Sequence, residues 1–242
     1  MRDFLVDIVG HTQPLGIDLV RVIGDNASTK LDTATDDKKL IMKAEFNQAS
    51  PLFEGTFGMP NLGTLNTILN IPEYRENAQI NITKKNRDGI DVPDSISFLN
   101  ASGDFSNNYR FMAGNLVNDK LKDVRFKGAT WHITMEPTMA NIARLKYQAQ
   151  ANSEEKYFIA KTDGSDLKFY FGDPSSHAGN FVFQHAVAGK LTRGWAWSVG
   201  VFQGILNLHG DKVIQFSDDG VAQIIVDSGL IKYEYLLPAE TK

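Results

Sequence analysis

Ser217-Asp218-Asp219-Gly220-Val221-Ala222-Gln223, and then Ser228-Gly229-Leu230-Ile231-Lys232-Tyr233-Glu234-Tyr235-Leu236-Leu237-Pro238, read as a hairpin followed by a long closing strand. Asp219-Gly220 suits the positive φ angles of a tight turn. Val213 to Phe216 and Ala222 to Val226 flank that turn as strands, and Leu230 to Leu237 is the third. Strands in succession joined by short turns make an antiparallel sheet, which needs a second layer to bury one face.

Moving toward the N-terminus, Val199, Phe202, Ile205 and Leu206 share one face of a helix that Trp195-Ala196-Trp197 leads into. Asn180 to His185, Leu167 to Phe171 and Tyr157 to Lys161 read as strands, with Asp163-Gly164 as a hairpin turn. Met139, Ile142, Leu145 and Ala149 form the apolar face of another helix, which Thr138 is placed to cap. Trp131 to Thr134 is a leading strand.

The first half repeats this order. A helix with Phe4, Leu5, Ile8 and Val9 on one face is ended by Gly10 and Pro14. Strands follow at 19–23, 39–46 and 53–57. A second helix has Pro60 in its first turn and Leu62, Leu65, Ile68 and Leu69 as its apolar face. Strands resume at 79–82, 96–99 and 105–112, with Asp88-Gly89 as a turn. Leu62 to Asn70 aligns with Val199 to Asn207, sharing one glycine and Ile-Leu-Asn. The expected organisation is α+β: two similar domains of antiparallel sheet with helices on one face. They would cover 1–112 and 128–242, joined by a polar crossing over 113–127.

Length and composition fit this. A chain of 242 residues holds two domains of roughly 120 residues, each able to bury a core. Hydrophobic residues are 42% and charged residues 22%, as in ordinary globular proteins. No apolar run approaches the roughly 18 residues of a membrane span. Met1-Arg2-Asp3-Phe4 carries an early acid and no long apolar stretch, so no secretory signal is expected. There are no cysteines, which excludes disulfides and thiolate chemistry and fits a reducing cytoplasm. The net charge of −4 argues mildly against nucleic acid held by bulk charge.

No catalytic constellation stands out. His11, His132, His177, His185 and His209 have no metal-helix spacing, and His132 and His185 fall within strand patterns as structural or surface residues. Phosphate-binding glycine motifs and a nucleophile elbow are absent from the sequence. Asp163-Gly164-Ser165-Asp166 lacks the downstream ligands of a calcium loop and reads as a turn, as does Asp36-Asp37. Neither a catalytic residue, nor a metal, nor a cofactor is expected.

The closing segment, from the Ser217–Gln223 hairpin to Tyr233-Glu234-Tyr235-Leu236-Leu237-Pro238, resembles the end of DNA polymerase sliding clamps. Proliferating cell nuclear antigen ends in a similar strand after a Gly-turn hairpin. Tyr109-Arg110-Phe111 before a polar crossing, the strand and helix from Ile133 to Gln150, and the Thr162-Asp163-Gly164 hairpin resemble T-even-like phage clamps. The start on a helix resembles them too.

The resemblance implies a closed ring of three chains, a homotrimer, joined strand to strand through 105–112 of one and 180–185 of the next. Tyr109, Phe111, Phe181 and Phe183 are candidates for that join, or else belong to each domain's core. Double-stranded DNA would thread the ring, a topological link needing few basic residues. Arg2, Arg75, Arg144, Lys146, Gln148 and Lys212 are the candidates, with Asn141, Arg144 and Gln148 on the third-helix face away from Met139, Ile142 and Leu145. The same residues read alone are solvated surface. Partner peptides, from DNA polymerase and an ATP-driven clamp loader, would bind Leu116, Val117, Leu236, Leu237 and Pro238, although Leu236 reads equally as core. The expected location is the cytoplasm, the host's if the chain is phage-encoded. The competing readings are a phage tail or baseplate protein and an enzyme with an unrecognised site.

Overall fold

The computed structural model describes residues 1–35, 37–87, 90–122, 126 and 128–240. Asp36, the Asp88-Gly89 turn and the end of the polar crossing, including Lys127, lie outside them. The chain divides into two units, Met1–Arg125 with Asp227–Tyr233, and Phe126–Val226 with Glu234–Lys242. Both are α+β with antiparallel sheets.

The first unit begins on helix α1 (Arg2–Thr12), which buries Leu5, Ile8 and Val9. It runs through Gly10 to Thr12, whose hydroxyl donates to the Ile8 carbonyl at 2.7 Å. Strands β1 (Leu19–Gly24), β2 (Thr29–Ala34), β3 (Ile41–Phe46) and β4 (Gly55–Pro60) precede helix α2 (Leu62–Leu69). Pro60 therefore closes a strand; Asn61, at φ 55, makes the corner and α2 starts after it. Strands β5 (Gln79–Arg87), β6 (Ile90–Leu99) and β7 (Ser106–Arg110) form a three-stranded sheet in that order. Strand β8 (Met112–Ala113) pairs with β4. Helix α3 (Gly114–Lys120) opens the stretch read as a polar crossing. It lies close on β4: a Cβ on Gly58 would sit 2.9 Å from Val117, and one on Gly114 2.6 Å from the Thr56 carbonyl.

Strand β2 was not expected, since its inward positions are Thr29, Leu31 and Thr33. Both threonines are buried with their hydroxyls matched. Thr29 Oγ1 accepts from the Ser50 N–H at 3.0 Å, and Thr33 Oγ1 donates to the Leu19 carbonyl at 2.6 Å. A buried hydroxyl with a partner costs little, so the strand tolerates them.

The second unit holds β9 (Ile133–Met135), helix α4 (Met139–Ala151), β10 (Tyr157–Asp163), β11 (Asp166–Gly172), β12 (Ala178–Gln184), β13 (Trp195–Ser198) and helix α5 (Val199–Leu206). Then come β14 (Asp211–Ser217), β15 (Val221–Asp227) and β16 (Ile231–Pro238). One sheet runs β12-β11-β10-β13, and β14 lies between β15 and β9. Its core is aromatic: Phe169 stacks on Phe183 at 4.4 Å and lies 4.4 Å from Phe158, while Trp197 meets Phe216 edge-on at 5.1 Å.

The duplication seen in the sequence has a structural counterpart. Leu19 of β1 faces Pro60 of β4, and Tyr157 of β10 faces Ser198 of β13. The first residue of each second helix donates its N–H to the carbonyl just before the paired strand, Leu62 to Asp18 at 3.3 Å and Val199 to Lys156 at 2.9 Å. Thus α1 answers to α4, β1 to β10, β3 to β12, α2 to α5, and β7 to β16.

Candidate nucleic-acid and subunit interface

Two strands end their sheets. Strand β7 pairs only with β6, and β12 only with β11, among the described residues. The register of β7 fixes which groups face outward. Phe111 donates to the Asp94 carbonyl at 2.9 Å and Asn100 to the Phe105 carbonyl at 3.0 Å. Hydrogen-bonded pairs alternate in an antiparallel ladder, so Phe105, Asn107, Tyr109 and Phe111 turn their backbone groups to β6. Ser106, Asn108 and Arg110 turn theirs outward. An open edge of this kind is a template for another strand.

The aromatic residues proposed for the join are used within their own units. Tyr109 is 4% exposed, donates its hydroxyl to the Pro60 carbonyl, and burial, with the Asp18 charge second, pushes its ionisation up. Phe111 packs on Phe57 at 4.3 Å, and Phe183 is 2% exposed under Phe169. Phe181 is half-buried and meets Phe169 edge-on at 5.8 Å. A join along these edges has to be made by backbone and by the polar side chains that flank it.

Helix α4 is rolled relative to the expected face. Of Met139, Ile142, Leu145 and Ala149, only Leu145 is buried, and Met139 is 82% exposed. Thr138 caps the helix as expected, accepting from the Asn141 N–H at 3.2 Å. The polar residues expected to face away instead hold β12. Asn141 Nδ2 donates to the Phe183 carbonyl and to Gln184 Oε1 at 2.9 Å. Gln148 lies against Gly179, where a Cβ would be 2.0 Å from Nε2. Arg144 sits over the Phe181 ring, 5.4 Å from its centroid. Matched amides and a cation over a ring serve there in place of apolar contact.

The other basic candidates differ in what they are free to do. Lys146 and Arg75 are exposed. Arg2 Nη2 donates to the Leu69 carbonyl at 3.0 Å, at the C-terminus of α2, where a cation is favourable. Lys212 donates to the Gly210 carbonyl at 2.7 Å, and burial pulls its ammonium pKa down against the opposing Asp211 charge. Asp7 is turned inward, accepting from Tyr233 Oη at 2.8 Å and Ser228 Oγ at 3.0 Å; His11 stacks on Tyr233 at 4.3 Å. This network ties the start of the closing strand to α1.

Of the peptide-site candidates, Leu116 is 54% exposed and Pro238 is exposed. Val117, Leu236 and Leu237 are buried. The hairpin before the closing strand is held by Asp218, which accepts from the Thr192 and Arg193 N–H groups at 3.0 and 2.9 Å and from the Thr192 hydroxyl. Burial raises that carboxyl, but these donors outweigh it and hold its pKa below the usual range. The Asp218 N–H donates to His132 Nδ1 at 3.0 Å, and His185 pairs with Asp166 at 3.0 Å. Gly164 at φ 62 and Gly220 at φ 84 make the two expected turns. No metal-ligand cluster occurs among the described residues, and no helix among them is long and apolar enough to cross a membrane.

Two open edges on a duplicated α+β chain invite comparison with known folds. No known family model matches the chain, and no curated protein matches it in sequence. Solved structures do. A. fulgidus PCNA, solved with the C-terminal region of FEN-1 bound, matches with a TM-score of 0.69 over 100% of this chain and 96% of its own, at 12% identity. The chain has the PCNA fold. PCNA from Thermococcus kodakaraensis matches with a TM-score of 0.66 over 99% of this chain and 97% of its own, at 11% identity.

Proposed function

We propose that this chain is one subunit of a sliding clamp, a closed homotrimeric ring that encircles duplex DNA and tethers a replicative polymerase. The observation that carries this reading is the PCNA fold over the whole chain. The open edges β7 and β12 support the ring. Strand β3, the counterpart of β12, is bordered within the first unit by the start of β16, the counterpart of β7; Asn47 there donates to the Leu230 carbonyl at 2.9 Å. Pairing β7 of one copy with β12 of the next would repeat that arrangement, and head-to-tail contacts of this kind close into rings.

In this reading the domains are 1–112 and 128–242 with a crossing at 113–127, the ring is of the T-even-like phage type, and it works in the host cytoplasm. An ATP-driven loader opens it. Partner peptides engage Leu116 and Pro238, the exposed members of their candidate set. DNA is held by topology, with Arg75, Lys146 and neighbouring basic groups touching phosphates; each contact adds salt dependence, and few contacts favour sliding.

The test is the mass in solution, followed by synthesis on primed circular DNA. Three chains of 26.9 kDa in one particle, and longer products with a cognate polymerase, are expected. A monomer, or tubes of the kind tail proteins form, overturns the reading.

A further inference from the structure

Strand β5 is a further sheet edge, one whose counterpart the second unit covers. Helix α2 is followed by β5, β6 and β7 as α5 is by β14, β15 and β16, and both sets lie in that order in their sheets. Thus β5 answers to β14. On its outer side β14 carries β9, with Ile133 opposite Phe216 and Met135 opposite Ile214. All four of these side chains are buried. Strand β9 leads into α4. Helix α1, the counterpart of α4, has no strand before it among the described residues, and β5 pairs there only with β6.

The side chains of β5 register the gap. Alternation sends Ile80 and Ile82 to the face of Phe98 and Ile96, their partners on β6. Phe98 and Ile96 are buried, but Ile80 and Ile82 are only half-buried. The backbone is open too. Phe98 and Ile96 lie opposite Asn107 and Tyr109, so their N–H and C=O groups turn to β7. Ser95, Ser97 and Leu99 therefore bond Thr83, Asn81 and Gln79, which leaves the N–H and C=O groups of Ile80 and Ile82 pointing outward. Beyond Thr83 the edge is guarded: a bulge falls between Thr83 and Lys84, and Lys84 and Lys85 are exposed. Bulges and lysines are devices that turn away indiscriminate strand pairing. Residues 79–83 carry neither.

We propose that 79–83 is a docking edge for an extended segment of a partner protein, which adds antiparallel to β5 as β9 does to β14. The segment reads apolar-polar-apolar, like Ile133-Thr134-Met135, and sets its two apolar side chains beside Ile82 and Ile80. In the antiparallel sense, the residues before the first apolar one run along Lys84 and Lys85. Lys84 pairs with Glu54 at 3.1 Å, while Lys85 forms no ion pair among the described residues, so the segment carries acids there. A second copy of β5 has the apolar pattern in Ile80-Asn81-Ile82, but it would bring Ala78 and Asn77 beside the two lysines instead of an acid. The edge follows from the duplicated frame and does not depend on the clamp reading.

The test uses the full chain, labelled with nitrogen-15, and two synthetic peptides, Glu-Glu-Ile-Thr-Met-Thr and Lys-Lys-Ile-Thr-Met-Thr. The acidic peptide is expected to shift the Ile80 and Ile82 amides saturably. At about ten times its Kd it should slow their hydrogen exchange about tenfold, leaving exchange at Asn81, which is bonded to β6, unchanged. N-methylation of the peptide at its isoleucine and methionine removes the donors that meet Ile82 and Ile80 and is expected to abolish binding. Lys85→Glu, an exposed change, is expected to weaken the acidic peptide several-fold and to favour the basic one. No shift at Ile80 and Ile82 with either peptide overturns the site. Equal binding of the N-methylated peptide overturns strand addition, and equal binding of the basic peptide overturns the acidic partner. Ile80 and Ile82 amides already protected without peptide, in particles that double in mass as concentration rises, overturn the partner in favour of a second copy. A monomer that fails to stimulate polymerase but binds the acidic peptide at Ile80 and Ile82 sinks the clamp reading and keeps this edge.

Discussion

Asn108→Pro would separate the proposed ring from the fold of the subunit. The register of β7 turns the N–H of Asn108 outward, so proline there removes no bond to β6. Ser106, Asn108 and Arg110 each offer one N–H and one C=O, about six backbone groups for a neighbouring strand. At a net ~1 kcal/mol per bond, losing the central donor and wedging the ring against the neighbour costs ~1–3 kcal/mol per join. That is about 5- to 150-fold in each join, and a closed trimer has three. Asn107→Pro is the contrasting change. Its N–H faces β6, and its Oδ1 accepts from Tyr74 Oη at 2.7 Å. Native mass and far-UV circular dichroism, read together, decide the matter. Asn108→Pro should give a folded monomer at concentrations where the parent is a trimer, and Asn107→Pro a destabilised chain. A trimer with unchanged midpoint for Asn108→Pro, or an unfolded one, refutes the edge assignment.

Other substitutions probe the supports of that edge and of the closing strand. Asn141→Ala removes two bonds that α4 makes to β12 and should cost ~1–2 kcal/mol, read as faster amide exchange across Ala178–Gln184. Gly58→Ala pushes a methyl into Val117 and should lower the urea midpoint by ~1–3 kcal/mol of stability; an unchanged midpoint would mean α3 moves away freely. Asp218 has a lowered folded-state pKa, so its contribution is present above the ordinary 3.8 and lost as pH falls through the folded value. Asp218→Asn should cost ~1–2 kcal/mol at neutral pH, and the gap to the parent should narrow in acid; a constant gap contradicts the charge-assisted account. Tyr233→Phe leaves Asp7 with Ser228 and should cost ~1 kcal/mol, seen as earlier loss of protection in α1.

What could be read from the sequence was what local chemistry decides. The Asp219-Gly220 and Asp163-Gly164 turns need φ above zero, and glycine supplies it at no steric cost. The Thr138 cap is set by its own first turn. Periodicity failed where burial is not carbon burial. Strand β2 buries threonines because their hydroxyls find partners, and α4 sets Asn141 and Gln148 against β12 while Met139 is left outside. A count of apolar positions cannot see a matched amide. Asp7 shows the other limit: nothing near it in the sequence marks it as structural, because its partners Ser228 and Tyr233 lie at the far end of the chain.

The same limit explains why the acidic total said little about nucleic acid. Net charge sums residues without regard to what they hold, and in this chain several acids are engaged by donors of their own unit: Asp7 by Tyr233, Asp18 by the end of α2, Asp218 by the Thr192–Arg193 amides. At the position of the second unit equivalent to Asp18 stands Lys156, and the end of α5 is capped instead by the Ser198 hydroxyl, which accepts from the Val201 N–H at 3.4 Å.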